Sequence, residues 1–303
     1  MGPTSPLTVD GAGIGRVTAD EPDPTFAPGR HLVLPRRGTT FIRELPGPDE
    51  SAPTVLLLHG WVATGGLNWF QAFDTLSEQF RVIAPDLRGH GQGIRSRRVF
   101  RLADCADDCA ATLVELGTGP VIVVGYSMGG PIAQLLWRRH RDLVSGLVFC
   151  ATSAGFMPNR GQRLSYQSWM LAAVTAARAA TLTRAVPALP AWGIRPTPVP
   201  QWIADETRRH DWRSMVEAGH SISTYNAGRW TDQVDVPAAV VCTTRDYAVK
   251  PDLQLALANA IPGTTVHRID DGHLACAQPD FGRVLRNACS GVADRVGRAA
   301  HVG

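Results

Sequence analysis

Residues 121–131 read VIVVGYSMGGP. Val121–Val124 is an unbroken run of β-branched residues, the pattern of a strand buried on both faces. Gly125-Tyr126-Ser127-Met128-Gly129 follows, and from Met128 to His140 the apolar residues recur at helical spacing. A strand, a G-x-S-x-G turn and a helix in succession make a nucleophile elbow, in which a tight turn lifts one side chain clear of the backbone. Glycine at 125 and 129 leaves room where strand and helix close up. Ser127 would stand at the helix N-terminus, where unpaired N–H groups and the helix dipole favour a developing negative charge. With 30 glycines and 13 serines, composition alone yields about 0.1 copies of this pattern, so the reading depends on what surrounds it.

Upstream, Val55–Leu58 is a second wholly apolar strand, and it ends in His59-Gly60-Trp61. A helix over about Asn68–Gln79 and a strand over Arg81–Ala84 lead into the glycine-rich loop Pro85-Asp86-Leu87-Arg88-Gly89-His90-Gly91. Leu102–Leu116 has helical spacing. His31–Leu34 and Thr40–Glu44, parted by Pro35-Arg36-Arg37-Gly38, read as a hairpin. Downstream, Gly146–Cys150, Ala238–Cys242 and Thr265–Ile269 read as strands, with helices over Asp252–Ala260 and Pro279–Cys289. This alternation predicts an α/β fold, a mostly parallel central sheet with helices on both faces, built from residues 29–152 and 233–292. Residues 153–232 break the alternation. They carry helical stretches at Ser165–Arg184 and Trp202–Ala218, a proline-rich link over 187–200, and five of the eight tryptophans. They read as an inserted helical cap over the carboxyl ends of the strands, the alternative being a second small domain with its own core. Residues 1–28 read as a loose arm and 293–303 as a frayed end.

Composition narrows the function classes. At 44% hydrophobic and 19% charged residues the chain has material for a large core. Net charge is +3, and no basic stripe interleaved with aromatics accompanies the short arginine cluster (Arg95, Arg97, Arg98, Arg101), so it reads as a solvated loop and not a nucleic-acid surface. The six cysteines show no framework spacing. Cys105 and Cys109 have no second pair to complete a zinc site, so buried thiols in a reducing compartment are expected. The N-terminus carries no basic segment followed by an apolar run. The apolar stretch Trp169–Ala177 is cut by Arg178, so no membrane span is expected and the cytoplasm is the expected location.

A serine hydroxyl needs a base within hydrogen-bond reach and a group that orients the base. In an elbow topology the order is nucleophile, acid, histidine. The strand ending at Cys242 runs into Thr243-Thr244-Arg245-Asp246, and the one ending at Ile269 into Asp270-Asp271-Gly272-His273. The expected set is therefore Ser127, Asp246 and His273. Asp270 and Asp271 compete as the acid but precede the histidine on its own loop, and Asp252 reads as a helix cap. Ala151-Thr152-Ser153 offers no acid after the strand ending at Cys150. His90, His210, His220 and His267 read as structural or surface residues, and His59 as a brace for its loop. Oxyanion donors are expected from the backbone N–H groups of Met128 and Trp61. The side chains of Trp61, Tyr126 and Trp169 are candidates for the substrate pocket. No metal ligand set is expected.

These motifs together resemble the α/β-hydrolase fold superfamily, over roughly residues 30–292. The matching residues are His59-Gly60-Trp61, Asp86 to Gly91, Gly125 to Gly130, Asp246 and Asp271-Gly272-His273. The chain is similar to the subgroup holding bacterial esterases, cofactor-free haloperoxidases (perhydrolases) and carbon–carbon bond hydrolases. The resemblance implies a serine hydrolase that acts without metal or organic cofactor on an ester or thioester of an apolar small molecule. Carbon–carbon cleavage, perhydrolysis or acyl transfer on the same residues are alternatives, as is a binding protein without turnover. Epoxide hydrolases and haloalkane dehalogenases of the superfamily use an aspartate nucleophile, where this chain has Ser127.

Overall fold

The computed structural model describes residues 26–157, 159, 161, 164–166, 168 and 201–300. Its strands are β1 (Gly29–Leu34), β2 (Gly38–Leu45), β3 (Thr54–Leu58), β4 (Arg81–Pro85), β5 (Val121–Tyr126), β6 (Val144–Cys150), β7 (Ala238–Thr243) and β8 (Thr265–Ile269). They form one sheet in the order β1-β2-β4-β3-β5-β6-β7-β8. The hairpin β1-β2 joins β4 antiparallel at one edge, and every pairing from β4 to β8 is parallel. The helices of the sheet region are α1 (Gly65–Trp69), α2 (Phe73–Ser77), α3 (Leu102–Glu115) and α4 (Gly129–Arg139). After them come α5 (Gln201–Arg208) and α6 (Trp212–Thr224) between β6 and β7, then α7 (Pro251–Ala260) and α8 (Phe281–Ala300).

The two-residue period of a strand sends alternate side chains to opposite faces. In β5, Val121 and Val123 meet α3, α4 and α7 in one buried cluster, while Ile122 and Val124 meet α1, α2 and α8 in the other. β3 divides in the same way, with Leu56 and Leu58 on the first face and Val55 and Leu57 on the second. All residues of both strands are buried, as two-sided cover demands. Truncating one such leucine to alanine typically costs about 2–5 kcal/mol.

From β3 the chain moves outward to β4, then returns to β5 on the other side of β3. The loops leaving β3 and β5 therefore diverge at their carboxyl ends. A crevice opens at such a reversal of strand order, and open α/β sheets bind ligands there. Leu58 pairs with Gly125 in the register, which puts the His59 loop beside the Ser127 turn.

Four local expectations need correction. The helix expected over Asn68–Gln79 is two short ones. Thr64 caps α1 by accepting from the Leu67 N–H at 3.1 Å. Gly282 of α8 packs against the segment between them, so close to the Gln71 carbonyl and Ala72 that a Cβ there would collide. The stretch Trp202–Ala218 is likewise broken, because Asp211 caps α6 with its side chain on the Arg213 N–H (3.2 Å) while its own N–H goes to the Gly89 carbonyl (2.8 Å). The C-terminal residues expected to fray continue α8 to Ala300. Its buried stripe Phe281, Leu285, Ala288, Cys289 runs on through Val292 to Val296. Arg295 ties it to the Ala238 carbonyl at 2.7 Å. Asp252 is not the cap of α7. Lys250 holds that place and Pro251 is the first helical residue.

Helices α5 and α6 are the described part of the region read as a cap. Trp169, most of Ser165–Arg184, the link 187–200, residues 1–25 and residues 301–303 lie outside the described residues. Among the described residues no helix is long and apolar enough to cross a membrane. All six cysteines are buried and free.

Candidate active site

Ser127 has φ 49°, in the left-handed region, a costly conformation for a residue with a side chain. Its backbone is held on both polar groups. The Ser127 N–H bonds the Cys150 carbonyl at 2.9 Å, and the Thr152 hydroxyl donates to the Ser127 carbonyl at 2.7 Å. A Cβ on Gly125 would strike the Gly129 carbonyl, and one on Gly129 would strike the Leu58 carbonyl. These two glycines let α4 start directly against β5 and β3, which is the close approach expected of them.

His273 and Asp246 complete the constellation read from the sequence. His273 Nε2 lies 2.9 Å from Ser127 Oγ, and its Nδ1 lies 2.7 Å from Asp246 Oδ2. A carboxylate only accepts, so the imidazole proton sits on Nδ1 and leaves Nε2 free to accept from the serine. The Asp246 side chain is wholly buried. Its Oδ1 accepts from the N–H groups of Ala248 (2.8 Å) and Val249 (2.9 Å). Its Oδ2 also accepts from the Thr243 hydroxyl at 2.8 Å. Gln254, fully buried on α7, donates to Thr243 Oγ1 at 2.8 Å and to the Val249 carbonyl at 2.7 Å. Burying a charge is costly unless it is hydrogen-bonded, and these donors meet that cost. Thr243 and Gln254 escaped sequence reading, because a threonine ending a strand and a glutamine on a helix carry no motif.

Tyr126, expected in the pocket, serves elsewhere. It is 3% exposed and packs edge-on against Trp69 and Phe281 beneath the site. Its hydroxyl donates to the His273 carbonyl at 2.8 Å. Burial pushes its pKa well above the ordinary tyrosine value, so it remains a donor.

The loop after β3 comes up beside Ser127, with the position a Cβ of Gly60 would take 3.4 Å from the Ser127 Cβ. The Gly60 N–H is fixed on Asn68 Oδ1 at 2.9 Å. His59 braces the loop as expected. Its Nε2 accepts from the Leu87 N–H (2.9 Å) and its Nδ1 donates to the Gly60 carbonyl (2.7 Å). Among the described residues, neither the Trp61 nor the Met128 amide N–H has an acceptor. The Trp61 side chain, expected to be free for a pocket, donates its indole N–H to the Met215 carbonyl of α6 at 2.7 Å. Asp86 sits under this loop, accepting from the Gly65 and Gln92 N–H groups at 2.8 Å each.

The competing acids are otherwise occupied. Asp270 accepts from the Thr244 hydroxyl (2.8 Å) and pairs with Arg245, and Asp271 accepts from the Gly272 N–H at 2.6 Å. His220 is exposed on α6 and His267 is partly covered on β8. His90 and His210 are buried and lie in a row with His59, the rings tilted or edge-on to one another at centroid distances of 5.0 and 5.6 Å.

This buried row has a consequence for stability. Burial drives His59 down to about 3 and His210 to about 4, from an ordinary 6.5, and holds His90 well below that value. As pH falls below 6.5 the unfolded chain protonates these three rings while the folded chain keeps them neutral. Stability then falls, by up to about 1.4 kcal/mol per pH unit for each ring. Asp86 works in the opposite sense. Burial first, and the Glu206 charge after it, push it up to about 6 from 3.8, so the folded chain takes its proton first over that window. Three rings outweigh one carboxyl, and the melting temperature is expected to drop between pH 7 and pH 5. A melting temperature that holds or rises on acidification would contradict this.

Comparison with known proteins agrees with the fold. The model of the α/β hydrolase fold family matches residues 53–280. The chain belongs to that family. Among curated relatives, epoxide hydrolase B of Mycobacterium tuberculosis is 31% identical over 123 residues, which is 39% of this chain and 34% of its own length. A poly(3-hydroxyalkanoate) depolymerase of Ectopseudomonas oleovorans is 26% identical over 245 residues, 77% of this chain and 82% of its own. Among solved structures, a thermophilic esterase from Thermogutta terrifontis superposes with a TM-score of 0.67 at 22% identity, over 89% of this chain and 99% of its own. That likeness carries the fold. The first curated relatives are matched over 30% to 34% of their own length.

Proposed function

We propose that this member of the α/β-hydrolase family is a serine hydrolase that cleaves a carboxylic ester or thioester of an apolar small molecule through an acyl-enzyme. The carrying observation is the unbroken hydrogen-bond chain from Ser127 Oγ through His273 to the buried Asp246. In the proposed cycle Ser127 Oγ attacks the substrate carbonyl and passes its proton to His273 Nε2. Asp246 holds the ring and stabilises the imidazolium. The amide N–H groups of Trp61 and Met128 hold the oxyanion, each worth roughly 2.7–4 kcal/mol of barrier lowering. His273 then protonates the leaving group, and the same ring activates water to release the acid. A serine at the elbow speaks against the aspartate-nucleophile chemistry of epoxide opening.

Purified protein is expected to release p-nitrophenol from p-nitrophenyl esters, with kcat/KM rising from acetyl to longer acyl chains. In the presence of an added alcohol or hydrogen peroxide the acid should remain the main product. A transesterified or peracid product in excess would shift the reading to acyl transfer or perhydrolysis, and no turnover of any ester would favour a binding protein. Tyr126→Phe removes the donor under His273 without emptying its pocket. It is expected to lower kcat about tenfold with KM little changed, and an unchanged kcat would deny Tyr126 this supporting role.

A further inference from the structure

Asp246 Oδ2 serves two donors at once. His273 Nδ1 lies 2.7 Å from it and the Thr243 hydroxyl 2.8 Å. The other carboxylate oxygen is filled by the Ala248 and Val249 N–H groups. Thr243, the last residue of β7, and Gln254 of α7 are buried together with the acid, so bulk water does not make up for a donor lost there. The direction of the Thr243 hydroxyl is settled by its neighbours. Gln254 Oε1 accepts from the Thr243 N–H at 3.1 Å. This turns the Gln254 NH₂ toward Thr243 Oγ1 (2.8 Å) and the Val249 carbonyl (2.7 Å). Oγ1 thus accepts from Gln254, and its own proton goes to the carboxylate, which only accepts. Donor follows donor from Gln254 through Thr243 to Oδ2, and links in such a chain polarise one another. Gln254 Nε2 itself stands 3.4 Å from Oδ2, a weak substitute for the hydroxyl.

We propose that Thr243, oriented by Gln254, is a positioning residue that acts on His273 through Asp246: by sharing Oδ2 it tempers the pull of the carboxylate on the Nδ1 proton and so sets how readily the imidazole takes the Ser127 proton. This rests on the reading of Ser127 as the nucleophile. A hydrogen bond to the charged form of an acid favours that form and disperses its charge. Without the Thr243 donor Oδ2 carries more charge, the imidazolium beside it is favoured, and the base stays occupied by a proton up to a higher pH. Asp246 is the charged group in contact with the His273 ring. Ser127 faces Nε2, and Tyr126, a neutral donor, has its ring centroid 6.0 Å away. Arg245 and Asp270 offset each other in an ion pair, and Asp271 accepts from the Gly272 N–H. Of these groups Thr243 bonds Asp246 alone.

The test is the pH dependence of labelling by a fluorophosphonate, which reads the free enzyme without a choice of substrate. Ser127 Oγ bonds phosphorus, fluoride leaves, and the hydroxyl proton passes to His273. Thr243→Val keeps the shape of the side chain and removes the donor. It is expected to move the midpoint of the acid limb up by about half a pH unit. Labelling then slows about threefold below the midpoint and less than about twofold at pH 9. Thr243→Ser keeps the hydroxyl and is expected to restore the wild-type midpoint. Asp246→Asn alone and Asp246→Asn with Thr243→Val should share one midpoint, since the charge through which Thr243 acts is gone. Thr243→Ala carries the same expectation as Thr243→Val should the valine not fold. A midpoint unmoved by loss of the hydroxyl, one that moves equally in Thr243→Ser, or a shift that persists in the Asp246→Asn pair would overturn the proposal and leave the hydrolase reading standing. Wild-type protein whose Ser127 takes no label would remove the nucleophile reading and the proposal with it.

Discussion

Ser127→Ala is expected to lower kcat on a p-nitrophenyl ester by about 10⁶-fold, with the melting temperature within about 2 °C of the wild type. The two halves of this expectation come from different parts of the structure. Ser127 Oγ has His273 Nε2 as its hydrogen-bond partner, and the backbone of the turn is secured through main-chain groups that alanine keeps. Alanine also fits the φ of 49° no worse than serine. Without the oxygen no acyl-enzyme forms, and what remains is the contribution of the oxyanion donors and substrate binding. Retention of a tenth or more of the turnover would remove Ser127 as the nucleophile.

Asp246→Asn should cost about 10⁴-fold in kcat, and the surroundings of Asp246 dictate why. Two backbone N–H groups, of Ala248 and Val249, point at Oδ1. In the variant they select the amide oxygen for that position and leave the NH₂ facing His273 and Thr243. The Thr243 hydroxyl can turn to accept from it. His273 Nδ1 must then accept as well, which puts the ring proton on Nε2, facing Ser127. The geometry survives but the base holds the wrong tautomer. Loss of under about tenfold would show that Asp246 does not orient the histidine.

The sheet was legible because its central strands are short runs buried on both faces, and such runs leave little choice of structure. Ser127, Asp246 and His273 were legible for a related reason, since each follows the carboxyl end of a predicted strand. Their convergence follows from the parallel sheet, which aims all those ends at one edge. The parts that escaped depend on contacts distant in sequence. The segment between α1 and α2 packs against Gly282, over 200 residues later in the chain. Tyr126 adjoins Ser127, yet successive residues at a strand end face opposite ways, and its ring goes to Trp69 and Phe281. The Trp61 indole found its partner 154 positions away on α6, a pairing no local pattern announces. The tail of α8 was misread because alanine, glycine and arginine dominate it, while two valines at helical spacing were enough to keep it packed.

Ser127 as an activated nucleophile is best checked by intact and peptide mass spectrometry after brief exposure to a fluorophosphonate. An activated serine should displace fluoride and carry one phosphonyl group per chain, on the peptide containing Ser127. His273→Ala should abolish that adduct on the same timescale while the protein stays folded. Rapid labelling that survives His273→Ala, or that falls on a residue other than Ser127, would contradict the proposal that His273 and Asp246 make Ser127 a nucleophile.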